Sequence, residues 1–160
     1  MMMKILVKVW GAFPIWLQAL ISRFIRPRFR VAVAAFVFDE DNRILLCKHT
    51  YRKAFPWGLP AGGLEYGEDP EVGIKRELLE ETGYKVQVER LLYADSALEF
   101  HHISLIYLCK IVDGVFTPNL EVSRVEFYPL DQLPRLIPTE QALIEKMMTK
   151  LSQELTHELA

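Results

Sequence analysis

Cysteine is scarce in this chain: Cys47 and Cys109 are the two cysteines among 160 residues. They show none of the Cys and His spacings typical of zinc sites, so a zinc-stabilised module is not expected. Each lies inside an apolar, strand-like run, RILLCKH or ISLIYLCKIV. We therefore expect two buried free thiols, which are typical of a protein that works in the reducing cytoplasm.

Acidic residues are missing from the first 38 positions, which contain six Lys or Arg. The net charge of −2 is therefore the sum of +6 in this part and −8 in the other 122 residues. Long nucleic acid usually binds to a basic surface, so the net acidic remainder argues against it as a partner. We expect two parts with different roles: a basic, apolar and helical arm over residues 1–28, and one domain over residues 29–160.

A long uninterrupted apolar run is also absent. Lys8, Pro14 and Gln18 break the apolar stretch of the arm, whereas a spanning helix needs about 18 to 20 apolar residues. No small-residue cleavage site follows the stretch, so a secretory signal is not expected either. Residues 15–25, followed by three arginines, could form an interfacial helix attracted to anionic lipid. The alternative is that they cover an apolar patch on their own domain or in a homodimer.

The rest of the chain has the composition of one globular domain with a substantial core, since 51% of all residues are hydrophobic. The patterning predicts strands near 29–38, 43–49, 84–95, 102–111 and 122–129, and helices at 70–82 and about 140–155. Elements in this order favour an α/β (α+β) sandwich, in which a mixed β-sheet is packed between helices.

Three carboxylates crowd the end of the first of these helices, in the stretch RELLEETG. With Asp69 as the predicted N-cap and Gly83 just past the end, Glu77, Glu80 and Glu81 share one face. Like charges at these spacings are unfavourable by roughly 0.2 to 0.5 kcal/mol per pair. Solvation of an exposed face would explain them. The alternative is a hard divalent cation such as Mg2+, which takes oxygen ligands together with substrate phosphates.

Two other residues of the helix favour the metal interpretation. Gly73 lies at the helical angle of Glu77 and Glu80, and a glycine within a helix costs roughly 1 kcal/mol relative to alanine. We therefore expect a metal ion and a diphosphate to occupy the space above Gly73. Arg76 stands four residues before Glu80, a spacing at which its guanidinium group can hold that carboxylate.

The helix and the glycine-rich loop before it form one longer pattern. It consists of Gly62, a gap of five residues, Glu68, a gap of seven residues and then RELLEETGY. This pattern resembles the Nudix box, G-x5-E-x7-R-E-U-x-E-E-x-G-U, where U is a bulky aliphatic residue. The one departure is Tyr84, an aromatic residue where the box favours an aliphatic one, which affects packing more than chemistry. The flanking chain, from about Phe29 onward, also resembles the family domain.

This resemblance implies an enzyme of the pyrophosphohydrolase type. It would use Mg2+ or Mn2+ to hydrolyse a nucleoside diphosphate linked to another group, X, through attack of an activated water at phosphorus. The implied metal-binding residues are Glu77, Glu80, Glu81 and the backbone carbonyl of Ala61, with Glu68 in the outer shell or completing the loop. Arg76 would orient the metal-binding glutamates.

The carboxylate that accepts the proton of the water differs among family members, so several candidates stay open. The implied catalytic residues are Glu77, Glu80, Arg76 and Glu121. Glu121 lies in a later segment, NLEVSRVEFYPL, where such an acid is often found. Glu99 and Glu126 are alternatives to it, and an exposed strand glutamate without a catalytic role is the default interpretation.

Substrate recognition is less well indicated. The aromatic rings of Tyr51, Phe55 and Trp57 could stack on a nucleobase, although Phe55 and Trp57 could equally pack beneath the loop. Gly62 and Gly63 would let backbone groups approach the substrate closely. A nucleotide sugar, ADP-ribose and a nucleoside triphosphate all fit this pattern. Two other classes of protein also stay open: a non-catalytic regulator that senses a nucleotide with this fold, and a membrane-associated interaction protein organised around the arm.

Overall fold

The computed structural model describes residues 10–25, 29–97 and 101–158. Its helices are α1 (Ile15–Ile25), α2 (Pro70–Thr82) and α3 (Pro138–Glu158). Its strands are β1 (Arg30–Val37), β2 (Ile44–His49), β3 (Trp57–Gly58), β4 (Ala61–Gly63), β5 (Tyr84–Ala97), β6 (His102–Gly114) and β7 (Val122–Tyr128). The predicted strands and helices of the domain are confirmed to within a few residues. Strands β3 and β4 were not predicted, because they are short and lie in a segment rich in glycine and proline.

The strands form two sheets. The four-stranded sheet has the order β4-β1-β6-β5 and is mixed, since β1 is parallel to β6 and antiparallel to β4. The three-stranded sheet has the order β3-β2-β7 and is antiparallel. Nothing in the patterning separated the strands into two sheets, since periodicity indicates a strand but not its neighbours.

The core lies on both sides of strand β1. Ala35 and Val37 pack in one cluster with Leu78 of α2. Phe36 points to the other face of the strand and packs in a second cluster with Met147 of α3. Helices α2 and α3 therefore cover opposite sides of the sheet, and the predicted α/β (α+β) sandwich with a mixed sheet between helices is confirmed.

The two cysteines lie in the sheets, Cys47 in β2 and Cys109 in β6. Both are buried and neither forms a disulfide. Burial raises the pKa of both thiols, that of Cys109 to about 12. The predicted buried free thiols are confirmed, and the cytoplasmic location inferred from them stays a prediction.

Helix α1 belongs to the N-terminal arm, and none of its side chains is buried. The division of the chain into an arm over 1–28 and a domain over 29–160 stays a prediction. Among the described helices, none is both long enough and apolar enough to cross a membrane.

Candidate active site

Helix α2 begins and ends at the residues that the sequence predicts. The carboxylate of Asp69 accepts hydrogen bonds from the backbone N–H groups of Glu71 and Val72 at 2.9 and 3.4 Å, which caps the helix. Gly83 follows the last turn with a φ of 76°, in the left-handed region that favours glycine. Because both ends are fixed, the angular position of each glutamate on the helix is fixed as well.

Three of the four glutamates of α2 line one cavity of about 270 Å³. The opposite wall is the segment that leads into β7. The residues that line the cavity are Glu77, Glu80, Glu81, Asn119, Leu120 and Glu121. The fold therefore brings Glu121 to the three glutamates of the helix. Four carboxylates around one small cavity create a negative potential that favours a cation.

Arg76 binds three carboxylates at once. Its Nε and Nη2 donate to Glu68 at 2.8 and 2.9 Å. Its Nη1 donates to Glu77 at 2.8 Å and to Glu80 at 3.2 Å. Nη2 also donates to the carbonyl oxygen of Gly63 at 3.0 Å. Arg76 thus fixes two glutamates that line the cavity, and it ties the glycine-rich loop to the helix.

Glu68 contacts Arg76 with both of its carboxylate oxygens and is not among the residues that line the cavity. It also accepts a hydrogen bond from the backbone N–H of Glu65 at 2.9 Å. The hydrogen bonds from Arg76, and then that from Glu65, lower the pKa of Glu68 to about 2, so its carboxylate stays ionised. This position suits closure of the loop, one of the two roles implied for Glu68.

Glu81 is the buried member of the carboxylate group, with 4% of its surface exposed. Its Oε2 accepts a hydrogen bond from the backbone N–H of Ala61 at 3.1 Å. Burial, assisted by the nearby charges of Glu77 and Glu121, raises the pKa of Glu81 to about 8, against the lowering effect of the Ala61 hydrogen bond. A cation in the cavity would favour the ionised form.

His49 lies beside the buried carboxylate, with its Nδ1 atom 4.0 Å from Oε1 of Glu81. The imidazole is itself buried, at 3% exposure. Burial, assisted by the positive charge of Arg52, lowers the pKa of His49 to about 4. The ring is therefore neutral near pH 7 and forms an uncharged wall behind Glu81.

Gly62 is needed because the carboxylate of Glu77 occupies the place that a side chain would take. A methyl group on Gly62 would overlap the Cδ and both oxygens of Glu77. At Gly63, by contrast, nothing lies within 4 Å of an added methyl group. The first glycine therefore gives room to a glutamate of the site, while Gly63 provides the carbonyl oxygen that Arg76 binds.

The interpretation of Gly73 was wrong. A methyl group on Gly73 would overlap Cδ2 of Leu64 and would lie 3.0 Å from Oε2 of Glu68. The space above this glycine is therefore filled by the loop that precedes the helix, and not by a metal ion and a diphosphate. The helical angle of Gly73 was read correctly, but an angle does not indicate which group packs there.

Asn119 joins the two walls of the cavity, and nothing in the sequence pattern singled it out. Its Nδ2 donates to the carbonyl oxygens of Glu80 and Glu81 at 2.8 and 3.0 Å, at the end of α2. Its Oδ1 accepts from the backbone N–H groups of Glu121 and Val122 at 2.9 and 2.7 Å. The pair Pro118-Asn119 indicates a turn before β7. It does not indicate the hydrogen bonds to a helix almost 40 residues earlier in the chain.

Glu140 of α3 was not predicted either, and it holds the segment that leads into the glycine-rich loop. Its carboxylate accepts a hydrogen bond from the backbone N–H of Leu59 at 2.6 Å and from Nη1 of Arg52 at 3.3 Å. The side chain is 15% exposed. A methyl group on Gly58 would overlap Nη1 of Arg52, so this glycine leaves room for the ion pair.

The three aromatic candidates lie outside the cavity lining. Trp57 packs edge-on against Tyr128, with ring centroids 5.1 Å apart, and contacts the second core cluster. Phe55 lies beneath the guanidinium group of Arg135, at 5.1 Å from the ring centroid. Tyr51 is 62% exposed. Trp57 is thus engaged in packing against Tyr128, while Tyr51 is largely exposed.

The two alternatives to Glu121 are placed differently. Glu126 accepts a hydrogen bond from the hydroxyl of Tyr128 at 3.0 Å and pairs with Arg124 at 3.0 Å. It does not belong to the residues that line the cavity. Glu99 lies outside the described residues.

The donor atoms around the cavity fit a hard divalent cation, because they are carboxylate oxygens. Within the described ranges, no group of three or more His, Cys, Asp or Glu side chains is placed to hold a metal ion without a change of side-chain orientation. Glu77 and Glu80 turn toward Arg76, and Glu81 turns toward Ala61. Mg2+ usually keeps several waters and is bound by one or two carboxylates together with substrate phosphates, so an open platform suits it.

The sequence matches the family model of the NUDIX domain over residues 28–151. The chain therefore belongs to the NUDIX family, which confirms the resemblance of the box. It is 32% identical to the ADP-ribose pyrophosphatase of Methanocaldococcus jannaschii over 120 residues, which cover 70% of this chain and 69% of that protein. It is 30% identical to YjhB of Bacillus subtilis over 119 residues, which cover 70% of this chain but 56% of YjhB, little more than half of that relative.

Solved structures show the same fold. A UDP-X diphosphatase superimposes with a TM-score of 0.65 at 26% identity, covering 82% of this chain and 71% of that chain. A NUDIX hydrolase from Nitrosomonas europaea superimposes with a TM-score of 0.68 at 25% identity, covering 77% of this chain and 72% of that chain.

Proposed function

We propose that this protein is a divalent-metal-dependent pyrophosphohydrolase that cleaves the diphosphate linkage of a nucleoside diphosphate linked to X. The observation that carries this proposal is that Glu77, Glu80, Glu81 and Glu121 line one cavity. Three of these residues come from the box and one from a distant segment, which supports a carboxylate site over a solvated helix face. Membership of the NUDIX family supports the same class of enzyme.

The proposed metal is Mg2+. Mn2+ prefers the same oxygen ligands and is the alternative ion. Glu77, Glu80 and Glu81 would hold it, with the backbone carbonyl of Ala61 as a further ligand. When bound, Mg2+ neutralises diphosphate charge and polarises the phosphorus that is attacked. Arg76 would fix the orientation of Glu77 and Glu80 through its hydrogen bonds to both carboxylates.

The proton of the attacking water goes to Glu121 in this proposal. As the water oxygen forms its bond to phosphorus, the bond from phosphorus to the bridging oxygen breaks, and Glu121 takes the proton that is released. Glu121 is supported over Glu126 because it lines the cavity, whereas Glu126 is engaged by Tyr128 and Arg124. The bonds from Asn119 to the backbone N–H of Glu121 and to the end of α2 hold this residue opposite the other carboxylates.

The proposed substrate class is a nucleoside diphosphate with a small group X, such as ADP-ribose or a nucleotide sugar. The likeness to an ADP-ribose pyrophosphatase and to a UDP-X diphosphatase supports this class. The products would be a nucleoside monophosphate and the phosphorylated X. Tyr51, whose ring is largely exposed, and Phe55 are the aromatic residues proposed to contact the base.

The test is nucleotide or phosphate release from a panel of ADP-ribose, nucleotide sugars, nucleoside triphosphates and dinucleoside polyphosphates. Each compound is incubated with and without Mg2+ or Mn2+. We expect hydrolysis of one group of compounds, and we expect chelation of the metal to abolish it. If every compound is inert while a nucleotide still binds, the non-catalytic sensor replaces the enzyme as the function of this site.

The variant Glu81→Gln links the activity to the cavity. Glutamine can still accept the hydrogen bond from Ala61, so the fold is retained, but it cannot take the ionised form that a bound cation would favour at Glu81. We expect kcat to fall at least about a hundredfold, on the order of 2.7 kcal/mol of transition-state stabilisation. Glu71→Gln, at an exposed position of the same helix, is the matched control and should keep full activity. Equal activity of both variants would place the reaction elsewhere.

A further inference from the structure

Helix α1 exposes an unusual amount of apolar surface. Ile15, Trp16, Phe24 and Ile25 are 85%, 68%, 77% and 73% exposed, and Leu20 is 46% exposed. None of the eleven residues of the helix is buried. Leu17, Gln18, Ile21 and Ser22 are half-buried, so the large exposed side chains lie on the part of the helix that the described residues leave uncovered. Large apolar side chains grouped in this way on a surface usually mark an interaction site.

Three of the five exposed side chains form a row. Trp16, Leu20 and Phe24 follow one another at intervals of four residues, so they lie along one side of the helix, while Ile15 and Ile25 point in other directions. Gln18 and Ser22 lie on the side opposite the row. The helix thus has an apolar stripe with aromatic rings at both ends.

The charge of the arm has one sign. Arg23 lies in the last turn of α1, and the sequence continues with arginines at positions 26, 28 and 30. There is no Asp or Glu among the first 38 residues, which contain six Lys or Arg. An apolar stripe followed by a run of positive charge is complementary to a surface that is apolar below and negatively charged above, which is the structure of an anionic bilayer interface.

We propose that helix α1 docks this protein on the surface of an anionic phospholipid membrane. Trp16, Leu20 and Phe24 would enter the boundary between headgroups and acyl chains, and Arg23 in the last turn would contact a phosphate headgroup. The helix rises about 16 Å over its length, roughly half of the hydrocarbon thickness, so this helix lies in the interface rather than crossing it. The proposal is independent of the hydrolase function.

A second copy of the chain is the competing occupant of this stripe. A helix about 16 Å long and 10 Å wide offers a contact face of a few hundred Å² at most, whereas a stable dimer buries roughly 800 Å² on each partner. Binding to a lipid surface has no such threshold, because its strength grows with apolar area and is assisted by charge. The small face and the single sign of charge therefore favour lipid.

The test is co-sedimentation of the full chain with vesicles of phosphatidylcholine alone, or of phosphatidylcholine mixed with phosphatidylglycerol. We expect binding to the anionic vesicles that weakens in high salt, because the screening length falls to about 3 Å at 1 M. The triple variant Trp16→Gln, Leu20→Gln, Phe24→Gln keeps good helix formers in the helix and removes the apolar stripe. It should bind at least about tenfold more weakly.

The matched control is the double variant Val112→Thr, Val115→Thr, which removes exposed apolar surface, 57% and 80% exposed, from another part of the chain. It should bind vesicles as the unchanged protein does, and circular dichroism should show that both variants fold. Absence of binding to anionic vesicles, or equal binding by the triple variant, would overturn the proposal. A dimer that the triple variant converts to a monomer, without vesicle binding, would assign the stripe to a second copy instead.

Discussion

The side-chain amide of Asn119 lies 3.0 Å from the carbonyl oxygen of Glu81, and the same side chain accepts a hydrogen bond from the backbone N–H of Glu121 at 2.9 Å. One neutral residue thus connects the helix that carries three carboxylates to the segment that carries the fourth. A second contact supports this segment, since the hydroxyl of Thr50 donates to the carbonyl oxygen of Leu120 at 2.6 Å. The backbone N–H of Thr50 also donates to the carbonyl oxygen of Glu121 at 2.8 Å, so the residue that follows β2 holds this segment while Asn119 ties it to α2.

The variant Asn119→Ala tests this connection. It removes hydrogen bonds to two carbonyl oxygens and two N–H groups. Each of these bonds contributes about 0.5 to 1.5 kcal/mol to stability, and its loss costs less where water can take the place of the side chain, as it can at this exposed position. We expect kcat to fall about tenfold because Glu121 is no longer held opposite Glu81, with a modest loss of melting temperature. The control is Asn42→Gly, at a turn residue with a φ of 58°, which should leave kcat unchanged. A lower melting temperature with unchanged kcat would show that Asn119 stabilises the fold without positioning Glu121.

Local signals in the sequence predicted helix α2 well and its surroundings less well. Asp69 and Gly83 define the ends of the helix through bonds to nearby residues, so their types alone indicated its bounds. Asn119 and Leu64 act through tertiary contacts, which a pattern along the chain does not contain. The space above Gly73 was assigned to a ligand for that reason: the helical angle was available, and the packing of Leu64 on it was not.

Gly62 and Gly63 provide a matched pair of tests in adjacent positions. The methyl group of Gly62→Ala would overlap the carboxylate of Glu77, whereas that of Gly63→Ala meets nothing within 4 Å. The end of a glutamate side chain can move at little cost, so we expect Gly62→Ala to keep its melting temperature within a few degrees and to lose at least about tenfold in kcat/KM. Gly63→Ala should keep both. Similar activity of the two variants would mean that the orientation of Glu77 does not limit the reaction.

The buried thiols give a prediction that does not depend on the reaction. Burial raises the pKa of Cys47 and Cys109, that of Cys109 to about 12, so almost no thiolate exists at pH 8. We expect no rapid reaction of the native protein with a disulfide reagent such as Ellman's reagent, and release of two equivalents after unfolding in denaturant. Rapid reaction of one equivalent in the native state would show that one strand of the sheets opens readily.

The ion pair between Arg52 and Glu140 predicts how α3 supports the site. Glu140→Ala leaves the backbone N–H of Leu59 and the guanidinium group of Arg52 without their partner, and the ion pair is half-buried, with side chains 24% and 15% exposed. Leaving such partners unsatisfied costs about 1 to 3 kcal/mol, so we expect the free energy of unfolding to fall by roughly 2 kcal/mol. Urea denaturation measures this change.

The matched control for this variant is Glu145→Ala, at an exposed position of α3 where the carboxylate accepts a hydrogen bond from Gln141 at 3.1 Å. A surface substitution of this kind is expected to stay within about 0.5 kcal/mol. Because Leu59 is two residues before Ala61, whose N–H binds Glu81, Glu140→Ala should also lower kcat at temperatures where the variant is fully folded. If Glu140→Ala loses stability but keeps its kcat, Glu140 supports the loop without controlling the position of Glu81. If both variants are equally stable, Glu140 is not a structural anchor.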